Sequence, residues 1–217
     1  MAAPIPAHIA GPKFATVVLV HGLFMGRPVM LPLARRLTKR GFAVRTFGYR
    51  TVAAGLDTNA GELARFLDTI DGPVQLVGHS LGGLVCLKAV DRSAANKVSA
   101  LALLGSPYRH SASAAFIKHW TGGERSRVGR SLHDWARLQA KPTPSLPMLT
   151  IAGTKGRGLG HLLCRFDEPH DGTVALSETV VPGAASRVLP VSHTGMLFST
   201  AVFSELANWL ESLQPRA

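Results

Sequence analysis

Cysteine is nearly absent: Cys86 and Cys164 are the only two in the chain. So few thiols, without CxxC spacing, exclude a disulfide-stapled scaffold and a thiol redox motif. Cys86 lies in an apolar stretch and reads as a small buried hydrophobe. Aromatic residues are also scarce, at 6%, and are not interleaved with the basic ones. That argues against a stacking platform for nucleic acid, so no nucleic-acid partner is expected. No apolar run approaches the roughly 20 residues that a bilayer-spanning helix needs. The segment Met1–His8 has no basic stretch followed by an apolar one, and the first apolar run, Val17–Val20, leads directly into His21-Gly22. A cleaved secretory signal is therefore not expected, and the chain reads as cytoplasmic.

Acidic residues are the third shortage: 13 Asp and Glu stand against 24 Lys and Arg, a formal net charge of +11. The excess predicts a weak attraction to anionic surfaces, including lipid headgroups. Much of it sits in Arg35–Arg45 and Lys118–Lys141, which read as solvated helix faces. Metal and cofactor signatures are missing as well. HExxH, clustered Cys/His ligands, a calcium loop, G-x-G-x-x-G and a Walker A lysine are all absent, so neither a metal nor a cofactor is expected.

What remains is a chain of 217 residues, 46% hydrophobic and with 22 glycines, which suits one α/β domain with a sizeable core. Short β-branched runs alternate with amphipathic stretches, as in a parallel sheet flanked by helices. Strands are predicted at Thr16–Val20, Phe42–Tyr49, Val74–Val77, Val98–Leu104, Pro147–Ala152 and Arg187–Val191. Helices are predicted from about Pro28 to Arg40, Asp57 to Ile70, Leu81 to Val90 and Thr200 to Leu213. Gly41 stops the first of them. In the second, Leu63, Phe66, Leu67 and Ile70 follow the i, i+3, i+4, i+7 spacing. The excursion at about 108–146, with Trp120 and Trp135, breaks the alternation. It reads either as a lid or cap insertion or as a pair of surface helices.

Two motifs carry chemistry. In Gly78-His79-Ser80-Leu81-Gly82 a strand precedes the serine and a helix follows it. A G-x-S-x-G turn in that context lifts the hydroxyl clear of the sheet, and its glycines relieve crowding at the sharp reversal. Ser80 is therefore the candidate nucleophile, and it needs a base beside it. Val20-His21-Gly22-Leu23-Phe24 closes the first strand. Acyl transfer builds negative charge on a carbonyl oxygen, and the backbone N–H groups of Leu23 and Leu81 are the candidate donors to it. His21 reads as a turn-shaping residue rather than a base.

Together these motifs resemble the α/β-hydrolase superfamily over nearly the whole chain, and more narrowly its small bacterial serine esterases and lipases. The resemblance implies an α/β-hydrolase fold, a small mostly parallel sheet of about six strands with helices on both faces. It also implies a triad in the order Ser, Asp or Glu, His. Of the histidines after Ser80 (His110, His119, His133, His161, His170 and His193), only His193 follows the last predicted strand, where the family carries its base. For the acid, Asp167, Glu168 and Asp171 share one loop; Asp171, in Asp171-Gly172-Thr173-Val174, matches the family's Asp-Gly-x-Val and is favoured over Asp167. The implied activity is hydrolysis of small acyl esters through an acyl-enzyme. A thioesterase or acyltransferase using the same triad, or a hydrolase fold kept only for binding, are the alternatives. Phe24, Met25, Met196 and Leu197, with Leu23 and Leu81, are candidates to receive an acyl chain, although half of these six are expected to be ordinary core.

Overall fold

A strand without a polar face has to be covered on both sides, and Thr16–Val20 (β1) is buried from Val17 to Val20. In the computed structural model, which describes residues 15–91, 96–109, 130–138, 143–156 and 166–214, it is an interior strand of one sheet. The others are Val44–Phe47 (β2), Val74–His79 (β3), Val98–Leu104 (β4), Met148–Gly153 (β5) and Ala185–Leu189 (β6). Their order across the sheet is β2-β1-β3-β4-β5-β6, and every neighbouring pair is parallel. Parallel strands are joined by crossovers that place helices over the sheet faces.

The helices are Leu31–Lys39 (α1), Leu56–Asp68 (α2), Leu81–Ala89 (α3), Arg130–Ala136 (α4) and Thr200–Ser212 (α5). Alternating strand residues sort them into two layers. Val18, Val20, Leu76, Leu101 and Leu103 pack with Leu56, Leu63 and Leu67 of α2 and Leu84 and Leu87 of α3. Val17, Leu19, Val77, Ala102, Leu104 and Ile151 pack with Leu33 and Leu37 of α1 and Val202, Leu206 and Leu210 of α5. α3 has almost no polar face, which fits its burial against both the sheet and α2.

Most element bounds fall within about two residues of the sequence reading; the second strand, expected over Phe42–Tyr49, is confined to Val44–Phe47, and two other departures have local causes. The last strand was expected to run through Pro190 to Val191, but the ladder ends at Leu189. There the chain turns at Pro190, and the Val191 N–H donates back to the Leu189 carbonyl at 2.8 Å instead of continuing the pairing with β5. The third strand instead continues two residues past Val77, through Gly78 and His79, because both keep pairing with β4.

Most of the excursion at 108–146 falls outside the described residues, including Trp120, and the lid expectation with it. His110, His119, His161 and Cys164 also lie outside them. The described part, α4, is firmly attached. Asp134 Oδ2 accepts the Leu56 N–H at 2.8 Å, capping α2 from a distant part of the chain. Asn59 Nδ2 donates to Ser131 Oγ at 3.0 Å, which in turn donates to the Ala54 carbonyl at 3.1 Å. Trp135 Nε1 donates to the Tyr108 carbonyl at 2.8 Å. No helix among the described residues is long and apolar enough to cross a membrane.

Candidate active site

Level registers bring the carboxyl ends of the strands to one edge: Val20 pairs with Gly78, His79 with Leu104, Leu104 with Ile151, and Gly153 with Leu189. The loops that leave these ends carry all the candidate residues. In open parallel sheets this edge is where ligands bind.

Ser80 sits between β3 and α3 at φ 53°, ψ −124°, a left-handed conformation that a residue with a Cβ rarely adopts. Such a residue costs on the order of 1–3 kcal/mol and persists only where its surroundings hold it. Here the Ser80 N–H donates to the Leu104 carbonyl at 2.9 Å. The reversal also requires α3 to enter close to the sheet. Gly82 lies directly against the Val20 and His21 carbonyls, and Gly78 against the backbone of Gly82 and Gly83. A side chain at either position would meet backbone.

The candidate acid and base follow the ends of β5 and β6. His193 precedes a short 3₁₀ turn, Thr194–Leu197, and Asp171 stands in the loop between β5 and β6. His193 Nδ1 and Asp171 Oδ2 are 2.7 Å apart, both side chains nearly buried. The other carboxylate oxygen, Oδ1, accepts the Thr173 and Val174 N–H groups at 2.9 and 2.8 Å. Gly172, at φ 99°, permits that tight turn. The main chain repeats the pairing, since the His193 N–H donates to the Asp171 carbonyl at 2.8 Å. Asp167 is exposed on the same loop, and Glu168 accepts from Ser177 instead. His170 stacks on Phe166 and its Nδ1 accepts the Gly172 N–H, while His133 belongs to α4.

On the opposite side of Ser80, the loop after β1 is held by its own clamps. Tyr49 donates its hydroxyl to the His21 carbonyl at 2.9 Å and stacks on the His21 ring at 4.8 Å. Burial pushes the Tyr49 hydroxyl well above its ordinary value, so it stays a donor. Burial likewise lowers His21, whose Nδ1 lies 3.1 Å from the Gly22 carbonyl. Gly22 faces Ser80, and a Cβ there would come 3.1 Å from Ser80 Cβ. Neither the Leu23 nor the Leu81 N–H donates a hydrogen bond among the described residues.

The acyl-chain candidates divide. Phe24 is 67% exposed and held at φ 58°. Met25 and Leu23 are half-buried against the two core layers. Leu81, Met196 and Leu197 are fully buried, because α3 and the 3₁₀ turn direct these side chains inward. Met196 Cε is among the nearest atoms to Gly105 and to Gly153, beneath the acid–base pair.

Four contributors were not singled out from the sequence. Gly105 follows β4 and Gly153 ends β5, and a Cβ on Gly105 would stand 3.0 Å from Asp171 Oδ2 and 3.2 Å from His193 Nδ1. Their signal was visible as glycine at the end of a buried strand. Tyr49 and His79 gave no such signal, since each acts through a carbonyl distant in sequence. His79 is completely buried; its Nε2 lies 3.0 Å from the His193 carbonyl and its ring 4.7 Å from that of His193.

Burial, with the nearby His193 and His21 adding to it, holds His79 at about 3, against 6.5 for an ordinary histidine. The folded value lies below the unfolded one, so the unfolded chain takes up the proton first as pH falls. The folded state keeps its full advantage above about pH 6.5 and loses it progressively toward about pH 3. Urea unfolding midpoints should therefore drop on acidification through that window, and drop less steeply in His79→Gln. Equal slopes in the two proteins would contradict this.

Comparisons with known proteins come to the same fold. The alpha/beta hydrolase family matches residues 17–211. Among solved structures, a lipase of Bacillus licheniformis superposes with a TM-score of 0.79 at 20% identity, covering 95% of this chain and 96% of its own. A thermophilic esterase from Thermogutta terrifontis gives 0.66 at 17% identity, covering 93% and 91%. A monoacylglycerol lipase of Paleococcus ferrophilus gives 0.66 at 16%, covering 92% and 97%. No curated protein sequence matches the chain.

Proposed function

The chain belongs to the alpha/beta hydrolase family, and we propose that it is a serine hydrolase that cleaves carboxylic esters through an acyl-enzyme. The observation that carries this reading is the 2.7 Å His193–Asp171 pair at the same sheet edge as the strained Ser80.

In this mechanism His193 takes the Ser80 proton as the hydroxyl attacks the acyl carbonyl. Asp171 accepts from Nδ1, so the bare Nε2 is the basic nitrogen, and the carboxylate stabilises the imidazolium that forms. The Leu23 and Leu81 amides receive the oxyanion. His193 then gives its proton to the departing alcohol. A water deprotonated by the same base attacks the acyl-serine, releasing the carboxylic acid and restoring Ser80. Phe24, exposed beside the oxyanion loop, is the side chain best disposed to touch the acyl group, with Met25 behind it. Met196 and Leu197 contribute from beneath, as packing rather than as contact surface. The net charge of +11 supports weak attraction to anionic membrane surfaces or substrates.

Ser80→Ala is the decisive variant. It should abolish hydrolysis of p-nitrophenyl butyrate and labelling by a fluorophosphonate, while leaving the urea unfolding curve close to that of the parent. Full turnover in Ser80→Ala would end the proposal. Rates on p-nitrophenyl esters of increasing chain length, beside an acyl-CoA, distinguish ester from thioester cleavage.

A further inference from the structure

Accepting Ser80 and His193 as nucleophile and base, we propose that His79 is a positioning residue, clamping the main chain of His193 so that its imidazole keeps its orientation toward the nucleophile next door. A carbonyl can only accept, so the 3.0 Å contact with the His193 oxygen places the His79 proton on Nε2. Nδ1 is then the bare nitrogen. It is buried and has no hydrogen-bond partner among the described residues, facing the Gly22 backbone instead.

The contact completes a frame around the base. His193 is held at its N–H by the Asp171 carbonyl, at its Nδ1 by the Asp171 carboxylate and at its carbonyl by His79. Without the last of these, the peptide after His193 is held only by the 3₁₀ turn it opens, across which the Met196 N–H donates to the Ser192 carbonyl at 3.0 Å, and a tilt of that peptide carries the ring with it. The tilted His79 ring, 47° to that of His193, also walls the imidazole on one side. His79 is bonded directly to Ser80 along the chain, so the clamp ties the elbow to a loop 114 residues away. A movement of one is then transmitted to the other. The low basicity of His79 keeps it neutral, and the clamp intact, across the ordinary working range.

Three variants test this: His79→Leu fills the space without a donor, His79→Gln carries an amide donor to about the Nε2 position, and His79→Asn carries one that falls short of it. Turnover of p-nitrophenyl butyrate, read as separate kcat and KM, is measured with urea unfolding. His79→Leu should lower kcat by roughly 100-fold, the order expected from misplacing a catalytic group by about an ångström, with KM changed by less than about twofold. His79→Gln should recover kcat to within about tenfold of the parent, and His79→Asn should not. A His79→Leu protein that is folded and has unchanged kcat overturns the clamp. Should His79→Leu fail to fold, equal kcat in the Gln and Asn variants overturns it instead. If the unaltered protein neither turns over esters nor takes a fluorophosphonate label, the serine-hydrolase reading has failed, and the role of His79 falls with it.

Discussion

Replacing Asp171 by asparagine should cost about 10⁴ in kcat while leaving the loop folded. The two carboxylate oxygens have separate duties. Oδ1 holds the turn by accepting the Thr173 and Val174 N–H groups, and an asparagine carbonyl can continue to do so. Its NH₂ then occupies the place of Oδ2, 2.7 Å from His193 Nδ1. An amide N–H cannot accept, so Nδ1 has to become the acceptor and the ring proton moves to Nε2. The nitrogen needed to take the Ser80 proton is then already protonated. Turnover and fluorophosphonate labelling should fall together, with little change in the urea midpoint. Asp167→Asn, on an exposed residue of the same loop, should change kcat by less than about twofold, within the range of ordinary surface substitutions. More than a tenth of parental activity in Asp171→Asn would remove Asp171 from the triad.

Gly82→Ala should damage fold and activity at once. The added Cβ would press on the Val20 and His21 carbonyls, which are backbone and cannot swing aside. Overpacking of this kind typically costs about 1–3 kcal/mol. Relief can come only from shifting α3 or the loop after β1, and those two elements bear the Leu81 and Leu23 amides. Misplacing one oxyanion donor is worth roughly 10²–10³ in kcat. The activity loss should therefore exceed what the unfolded fraction accounts for. Gly61→Ala is the matched control. A Cβ there meets nothing within 4 Å, and alanine is favoured over glycine inside a helix by up to about 1 kcal/mol. It should stabilise the protein slightly and leave kcat alone. If both variants behave alike, close approach at Gly82 is not what holds the oxyanion loop.

The layered architecture was legible because its signals are local. A run such as Val98–Leu104 is apolar but for Ser99, and Leu63, Leu67 and their neighbours repeat at helical spacing, so burial follows from chain order alone. Ser80 was legible for the same reason: the motif and both flanking elements are contiguous. Asp171 and His193 could be ranked by motif and position, but their 2.7 Å approach depends on β5 and β6 pairing in one register. The bonds from Tyr49 to the His21 carbonyl and from His79 to the His193 carbonyl were not legible at all. Any residue offers a main-chain carbonyl, so no residue type marks the acceptor. Asp134 capping α2 was hidden likewise, because the Gly55 cap position carries no side chain to announce it. Met196 and Leu197 show the converse. Their apolar character was plain, yet only the direction of a short turn decides whether such side chains face a ligand or the interior.

The parallel sheet divides the molecule's tolerance for change as well as its chemistry. Since Ser80, Asp171 and His193 share one edge, the opposite edge, where Gly72 precedes β3 and Gly183 precedes β6, carries none of them. Both glycines turn with positive φ, and the space beyond each is open. That edge is where the chain can be lengthened, tethered or grafted to another domain without the addition reaching Ser80.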